Sequence, residues 1–152
     1  MYYKPNYFAP HEVFTPSTIE RYTMINGLLA KSIWLLMDDR VLWTLDQLRE
    51  QFGPVILNDY YWGGHNHWRG FRPIQDLNEP GVPEAVKKNR GSQHCFGRAA
   101  DCVFKNTTVE EVRNDIKQYP YKDRYKYIKA VEDKVPWLHF DVRAIIGGPH
   151  FF

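Results

Sequence analysis

Apolar residues change their spacing several times along this chain, and each change predicts an element. The clearest helix starts at Asp38 or Asp39, either of which can cap it. Val41, Leu42, Leu45, Leu48 and Phe52 then recur at helical spacing. Gly53 and Pro54 end it. A second helix is predicted over "NTTVEEVRNDIKQYP", where Thr108 and Glu111 form a capping-box pattern and Pro120 stops the run. Residues Met1 to Thr15 read as an aromatic, proline-punctuated extended arm. Periodic apolar positions between Pro16 and Met37 predict one or two short helices.

Strand patterns occupy the rest. "PVILNDYYW" is rich in β-branched and aromatic residues and reads as a strand, and Ala99 to Phe104, "YKYIKAVED" and "WLHFDVRAII" read as further strands. "GGHNHWRGFRP" is a loop rich in Gly and His. The polar stretch from Ile74 to Gly91, punctuated by Pro80, Gly81 and Pro83, reads as an exposed loop with a short helical turn at Pro83 to Lys88. There are no internal repeats and no low-complexity segment. The expectation is one α+β domain, a small antiparallel sheet with flanking helices. Residues 1–37 form an arm with short helices packed on a 38–152 domain.

Composition narrows the function classes. Aromatic residues reach 16%, which suits a tightly packed aromatic core and not a helix bundle. Net charge is only +2 and the basic residues gather in no run, so no nucleic-acid partner is expected. The most apolar segment, Ile33 to Met37, is too short for membrane insertion. Tyr2, Tyr3, Lys4 and Pro5 lead into Asn6 without an apolar stretch, so the chain is expected to be made in the cytoplasm without a signal peptide. Cys95 and Cys102 read as free buried thiols.

Candidate chemistry centres on "SQHCFGRAAD". His94 and Asp101 stand seven residues apart around a Gly-Arg-Ala-Ala turn. A third ligand comes from "WLHFDVR". In an extended strand Leu138, Phe140 and Val142 share one face, and Trp137, His139, Asp141 and Arg143 the other. His94, Asp101 and His139 then make a two-histidine, one-carboxylate set that suits tetrahedral Zn²⁺ with a fourth position for water. Gly97 would allow the sharp turn that brings His94 and Asp101 together. His65 and His67 in "GHNHW" have chelating spacing but no accompanying carboxylate, and read as cleft-loop residues. His11 and His150 carry no prediction. Tyr60, Tyr61, Trp62 and Trp68 could line a sugar or peptide groove, with core packing the simpler reading.

Together, "SQHCFGRAAD", "WLHFDVR" and "RGFRP" resemble the D-Ala-D-Ala carboxypeptidase and L-alanoyl-D-glutamate endopeptidase family of zinc peptidases. These share a Hedgehog-type fold and cut stem peptides of bacterial peptidoglycan. The family pattern is Ser-x-His-x-x-Gly-x-Ala-x-Asp followed by a distant His-x-Asp strand, and Ser92, His94, Gly97, Ala99, Asp101 and His139 match it. The resemblance covers about residues 40 to 145. It implies a zinc site at His94, Asp101 and His139, with Arg72 aimed at an oxyanion or a substrate carboxylate. It also implies that Ser92 orients substrate or closes the turn before His94.

Where many members of that family carry an acidic residue three positions before the last histidine, this chain has Pro136. Asp133, six positions before, is the expected general base, with Glu132 adjacent to it. Asp141 is expected to support His139 or to pair with Arg98 or Arg143. The resemblance implies a peptidase acting on peptidoglycan stem peptides, of the kind bacteriophages use as endolysins or virion-associated hydrolases. The alternative is a structural phage tail or virion protein that keeps the zinc-binding fold without turnover and docks other virion proteins.

Overall fold

The structure is a computed structural model that describes residues 2–26 and 33–152. Two helices lead the chain, α1 (Pro10–Val13) and α2 (Pro16–Asn26), and a short 3-10 turn follows at Ile33–Leu36. The part of the predicted helical region that falls on 27–32 lies outside the described residues. Helix α3 spans Asp39–Phe52. Asp38 caps it by accepting from the Arg40 N–H, and Gly53 closes it. Its apolar stripe of Val41, Leu42, Leu45 and Leu48 is fully buried.

Strand β1 (Val55–Ile56), helix α4 (Glu84–Lys88), strand β2 (Ala99–Phe104) and helix α5 (Val109–Gln118) follow. The Thr108 capping box that starts α5 is present in full. Strands β3 (Ala130–Val131), β4 (Leu138–Asp141) and β5 (His150–Phe151) complete a five-stranded sheet in the order β1-β2-β4-β3-β5. The protein is therefore a single small α+β domain. Every neighbouring pair is antiparallel except β3 with β5, which makes the sheet mixed where an antiparallel one was expected.

Three of the strands are much shorter than their sequence patterns. "PVILNDYYW" is a strand only at Val55–Ile56, because the Asn58 N–H turns to the Glu12 carbonyl and the chain leaves the sheet to clasp α1. "YKYIKAVED" is a strand only at Ala130–Val131, since its first half makes a tight turn in which the Ile128 N–H donates to Tyr125. "WLHFDVRAII" is cut to Leu138–Asp141.

Register decides which face each side chain occupies. Asp101 lies opposite His139, Ala99 opposite Asp141, and Ala130 opposite Asp141 from the other side. Ala100, Cys102, Val131, Leu138 and Phe140 therefore point together into the core, where they meet α3 and Val112 and Ile116 of α5. The reverse face carries Asp101, His139 and Asp141, with alanines at 99 and 130 leaving room above them. Phe8, Val13, Phe14, Ile33, Trp34 and Met37 belong to the same core, so the described part of 1–37 is integral to it.

Two buried carboxylates fasten the N-terminal segment. Asp46 accepts from the Tyr3 hydroxyl at 2.8 Å and from the Asn6 N–H at 2.7 Å, which pins the arm to α3. Asp76, fully buried in the stretch expected to be an exposed loop, accepts from Thr15 at 2.6 Å, Thr18 at 2.8 Å, Ser17 at 3.1 Å and Arg21 at 2.5 Å. Burial alone would raise the Asp76 carboxyl, but these donors carry it below its ordinary value. Its contribution to stability is then present above about pH 4 and lost as pH falls through the depressed folded-state value. Asp76→Asn is expected to cost about 2–4 kcal/mol at neutral pH. The gap to wild type should narrow on acidification in urea denaturation series, and a pH-independent gap would refute this role.

Candidate metal centre

His94 sits in the 3-10 turn Gln93–Phe96, which the Ser92 hydroxyl caps by accepting from the His94 N–H at 3.4 Å. That contact gives Ser92 the turn-closing part of its two expected roles. Gly97 ends the turn at φ 67°, with the left-handed backbone that lets the chain reverse into β2 and deliver Asp101. His139 arrives from β4 directly opposite Asp101.

The three side chains converge on one point. His94 Nε2 is 3.2 Å from Asp101 Oδ1 and 3.3 Å from His139 Nδ1, and His139 Nδ1 is 2.7 Å from the same Asp101 oxygen. All three residues are buried, and among the described residues theirs is the one group of at least three His, Cys, Asp or Glu side chains able to hold a metal ion. Tetrahedral N and O ligands at about 2.0–2.1 Å from an ion stand about 3.3 Å apart, which two of the three separations match, while His139 Nδ1 and Asp101 Oδ1 sit closer, at hydrogen-bond distance.

Outer contacts orient the three candidate ligands. His94 Nδ1 lies 2.8 Å from the Gly70 carbonyl and donates to it, which leaves the Nε2 lone pair facing Asp101 and His139. Gly70 can present that carbonyl because it packs against α1, where a Cβ would lie 2.1 Å from the Val13 oxygen. His139 Nε2 faces Asp141 at 3.8 Å, and Arg143 Nε holds Asp141 at 2.8 and 2.9 Å. Asp141 thus takes the supporting role expected of it, with Arg143 as its partner. Arg72 Nη2 binds Asp101 Oδ2 at 2.5 Å, its Nε donates to the Trp68 carbonyl, and its backbone N–H donates to the His94 carbonyl.

Charge in the cluster follows from these contacts. Burial alone would raise the Asp101 carboxyl, but the two histidines and Arg72 carry it far below the carboxylate range. Burial lowers His94. Burial would also lower His139, yet its hydrogen bonds to Asp101 and Asp141 outweigh that and push it up to about 9. A cation at this point competes with the His139 proton, since the ligating nitrogen must be neutral.

The expected base does not reach the site. Asp133 lies one residue beyond the Glu132–His139 pair, so its side chain turns to the α5 side of the sheet. There Lys117 Nζ holds both its oxygens, at 3.2 and 3.3 Å. Arg113, also on α5 and buried, fixes the loop before His139 by donating to the carbonyls of Glu132, Val135 and Trp137. Of the two adjacent acids it is Glu132 that shares the face of His139: its N–H donates to the His139 carbonyl, which places the two residues opposite each other across the strands. Among the described residues no ion pair or hydrogen bond engages its carboxylate.

Comparison with protein-family models, curated proteins and solved structures finds no match to this chain. The site therefore rests on its own geometry. His65 and His67 enter no metal-ligand group among the described residues, and His67 bonds the Gly64 carbonyl at 3.0 Å. Tyr60, Tyr61, Trp62 and Trp68 lie outside the core, against the core-packing reading, and Tyr61 and Trp62 are 68% and 61% exposed. Cys95 and Cys102 are free and buried. Among the described residues no helix is long and apolar enough to cross a membrane. Gly70, the Trp68 carbonyl and Arg113 were not read from sequence. Only the "RGFRP" motif carried a signal near two of them.

Proposed function

We propose that this chain is a zinc-dependent peptidase acting on peptidoglycan stem peptides. The observation that carries the reading is the convergence of His94 Nε2, Asp101 Oδ1 and His139 Nδ1, each held by an outer partner, on a sheet face that also bears an unengaged carboxylate. Two imidazoles and one carboxylate suit zinc and leave a fourth position for water, the ligand number of a hydrolytic site. The likeness of "SQHCFGRAAD" and "WLHFDVR" to peptidoglycan peptidases supports the substrate class and a phage setting, as an endolysin or a virion component. When bound, zinc supplies a water of pKa about 7 and an acid that polarises a carbonyl.

The chain's own residues divide the remaining work. Glu132 takes the proton of the attacking water and returns it to the leaving amine. Arg72 fixes Asp101 and has Nη1 unengaged among the described residues, available to an oxyanion or a substrate carboxylate. A non-catalytic virion role is favoured by Pro136 at the family's acidic position and by the engagement of Asp133 with Lys117.

Glu132→Gln separates the two readings. It is expected to keep one zinc per chain while hydrolysis of purified peptidoglycan falls about 10²–10⁴-fold, and Asp133→Asn should leave turnover near wild type. Unchanged hydrolysis in Glu132→Gln would remove Glu132 from the mechanism. A zinc-loaded wild type that cleaves nothing would establish the non-catalytic role.

A further inference from the structure

A cavity of about 410 Å³ is lined by Asn58, Tyr60, His67, Trp68 and Glu79 among others, and Arg72 of the metal centre bonds the carbonyl of its Trp68. We propose that it is a subsite for an N-acetylated amino sugar of a glycan strand, a proposal that rests on the peptidoglycan reading above.

Asn58 carries the argument furthest. It is 1% exposed, and its Oδ1 accepts from the Arg69 N–H at 2.9 Å, which fixes the orientation of the amide. Its Nδ2 is therefore a committed donor, and among the described residues it has no partner. A buried donor left unpaired is costly, and an acetamido carbonyl reaching the cavity floor would satisfy it. Trp68 adds a second sign of construction. It holds a left-handed backbone at φ 62°, uncommon for a bulky residue, and the Arg72 side chain bonds its carbonyl. The strained residue that forms the cavity wall is thus tied to the arginine that braces Asp101.

The surface beyond the cavity continues the pattern. Next to Tyr60 in the chain, Tyr61 stacks on His11 at 4.6 Å and Trp62 meets the same ring edge-on at 4.8 Å, both aromatics largely exposed. Flat exposed rings match the C–H faces of sugars, and the Glu79 carboxylate can accept from their hydroxyls. Among the described residues the lining includes no lysine or arginine, so an acidic stem peptide would meet Glu79 with no neutralising cation there. The stem peptide accordingly belongs at the metal centre and the sugar in this cavity.

The test titrates the zinc-loaded full chain with a trimer of N-acetylglucosamine, followed by tryptophan fluorescence. Saturable binding is expected. Asn58→Asp, which keeps the acceptor for Arg69 but removes the donor, should weaken it about tenfold. Trp62→Ala, at an exposed position that folding does not need, should weaken it comparably and keeps the test decisive if Asn58→Asp fails to fold. No saturation at millimolar trimer, or full affinity in Trp62→Ala, overturns the proposal. So does displacement of the trimer by a free stem pentapeptide, which would make the cavity a peptide subsite. Hydrolysis of that sugar-free pentapeptide reports on the metal centre alone, so loss of the peptidase reading and loss of the sugar subsite give different results.

Discussion

Alanine at position 139 is expected to remove the metal and the hydrolysis together. His139 supplies one of three donor atoms, and only His94 Nε2 and Asp101 Oδ1, 3.2 Å apart, are left. Losing only an outer partner of a metal ligand typically costs about 10–100-fold in affinity, so losing the ligand itself should cost more than about 100-fold. The cavity left by the imidazole would also leave Asp141 facing only Arg143, and Phe152 without the ring it meets at 6.3 Å. Metal content after dialysis, measured beside hydrolysis of purified peptidoglycan, reads both effects. One zinc per chain in His139→Ala, or retained hydrolysis, would refute the assignment of the site. Asp141→Asn makes the useful comparison, because it weakens an outer contact while keeping all three donors, and should fall in the 10–100-fold range.

The face on which His139 lies was legible in the sequence for a physical reason. A strand alternates strictly, so the polar positions of "WLHFDVR" had to share a face, and the hydrophobic ones fixed which face was buried. The same rule explains the failure at Asp133. Spacing from His139 along the chain says nothing about which residue of a neighbouring strand lies opposite it, and a shift of one position exchanges the two faces. Glu132 donates its N–H to the His139 carbonyl, while Asp133 turns to Lys117 of α5. Choosing between adjacent acidic residues required the register of β3 on β4.

Other misses came from tertiary contacts that override local pattern. Tyr60, Tyr61 and Trp62 have high strand propensity, yet Asp59 organises a tight turn there: its carbonyl accepts from the Trp62 N–H at 3.1 Å, and its carboxylate accepts from the Asn66 N–H and side chain, each at 2.6 Å. The Ile74 to Gly91 stretch reads as solvent-exposed from its prolines and charges, but Asp76 and Leu77 are buried because Asp76 anchors α2. No periodicity records a carboxylate whose partners lie some 60 residues earlier. The helix starts and stops, by contrast, depend on side chains within four residues of the end, and those at Asp38, Gly53 and Thr108 fell where the sequence placed them.

The turn between the first two ligands should be as sensitive as the ligands themselves, and Gly97→Ala is expected to be the most destabilising conservative change near the site. At φ 67° an added Cβ meets the left-handed penalty, about 1–2 kcal/mol. It would also lie 2.2 Å from the Leu36 carbonyl oxygen and 3.0 Å from the Met37 Cα. Both are backbone atoms, so no rotamer change relieves the contact, and overpacking of this kind adds about 1–3 kcal/mol. The expected loss is about 2–5 kcal/mol in urea denaturation. Because the Asp38 N–H donates to the Gly97 carbonyl at 2.9 Å, the displacement is transmitted to the cap of α3 as well as to His94. Metal affinity should therefore fall in Gly97→Ala although every candidate ligand remains. Gly81→Ala isolates the backbone term: its φ is 83° and among the described residues a Cβ there meets nothing within 4 Å, so it should lose only the left-handed penalty, about 1–2 kcal/mol, with metal binding unchanged. Equal losses in the two variants would mean that the close approach of Gly97 to Leu36 does not hold the ligand turn in place.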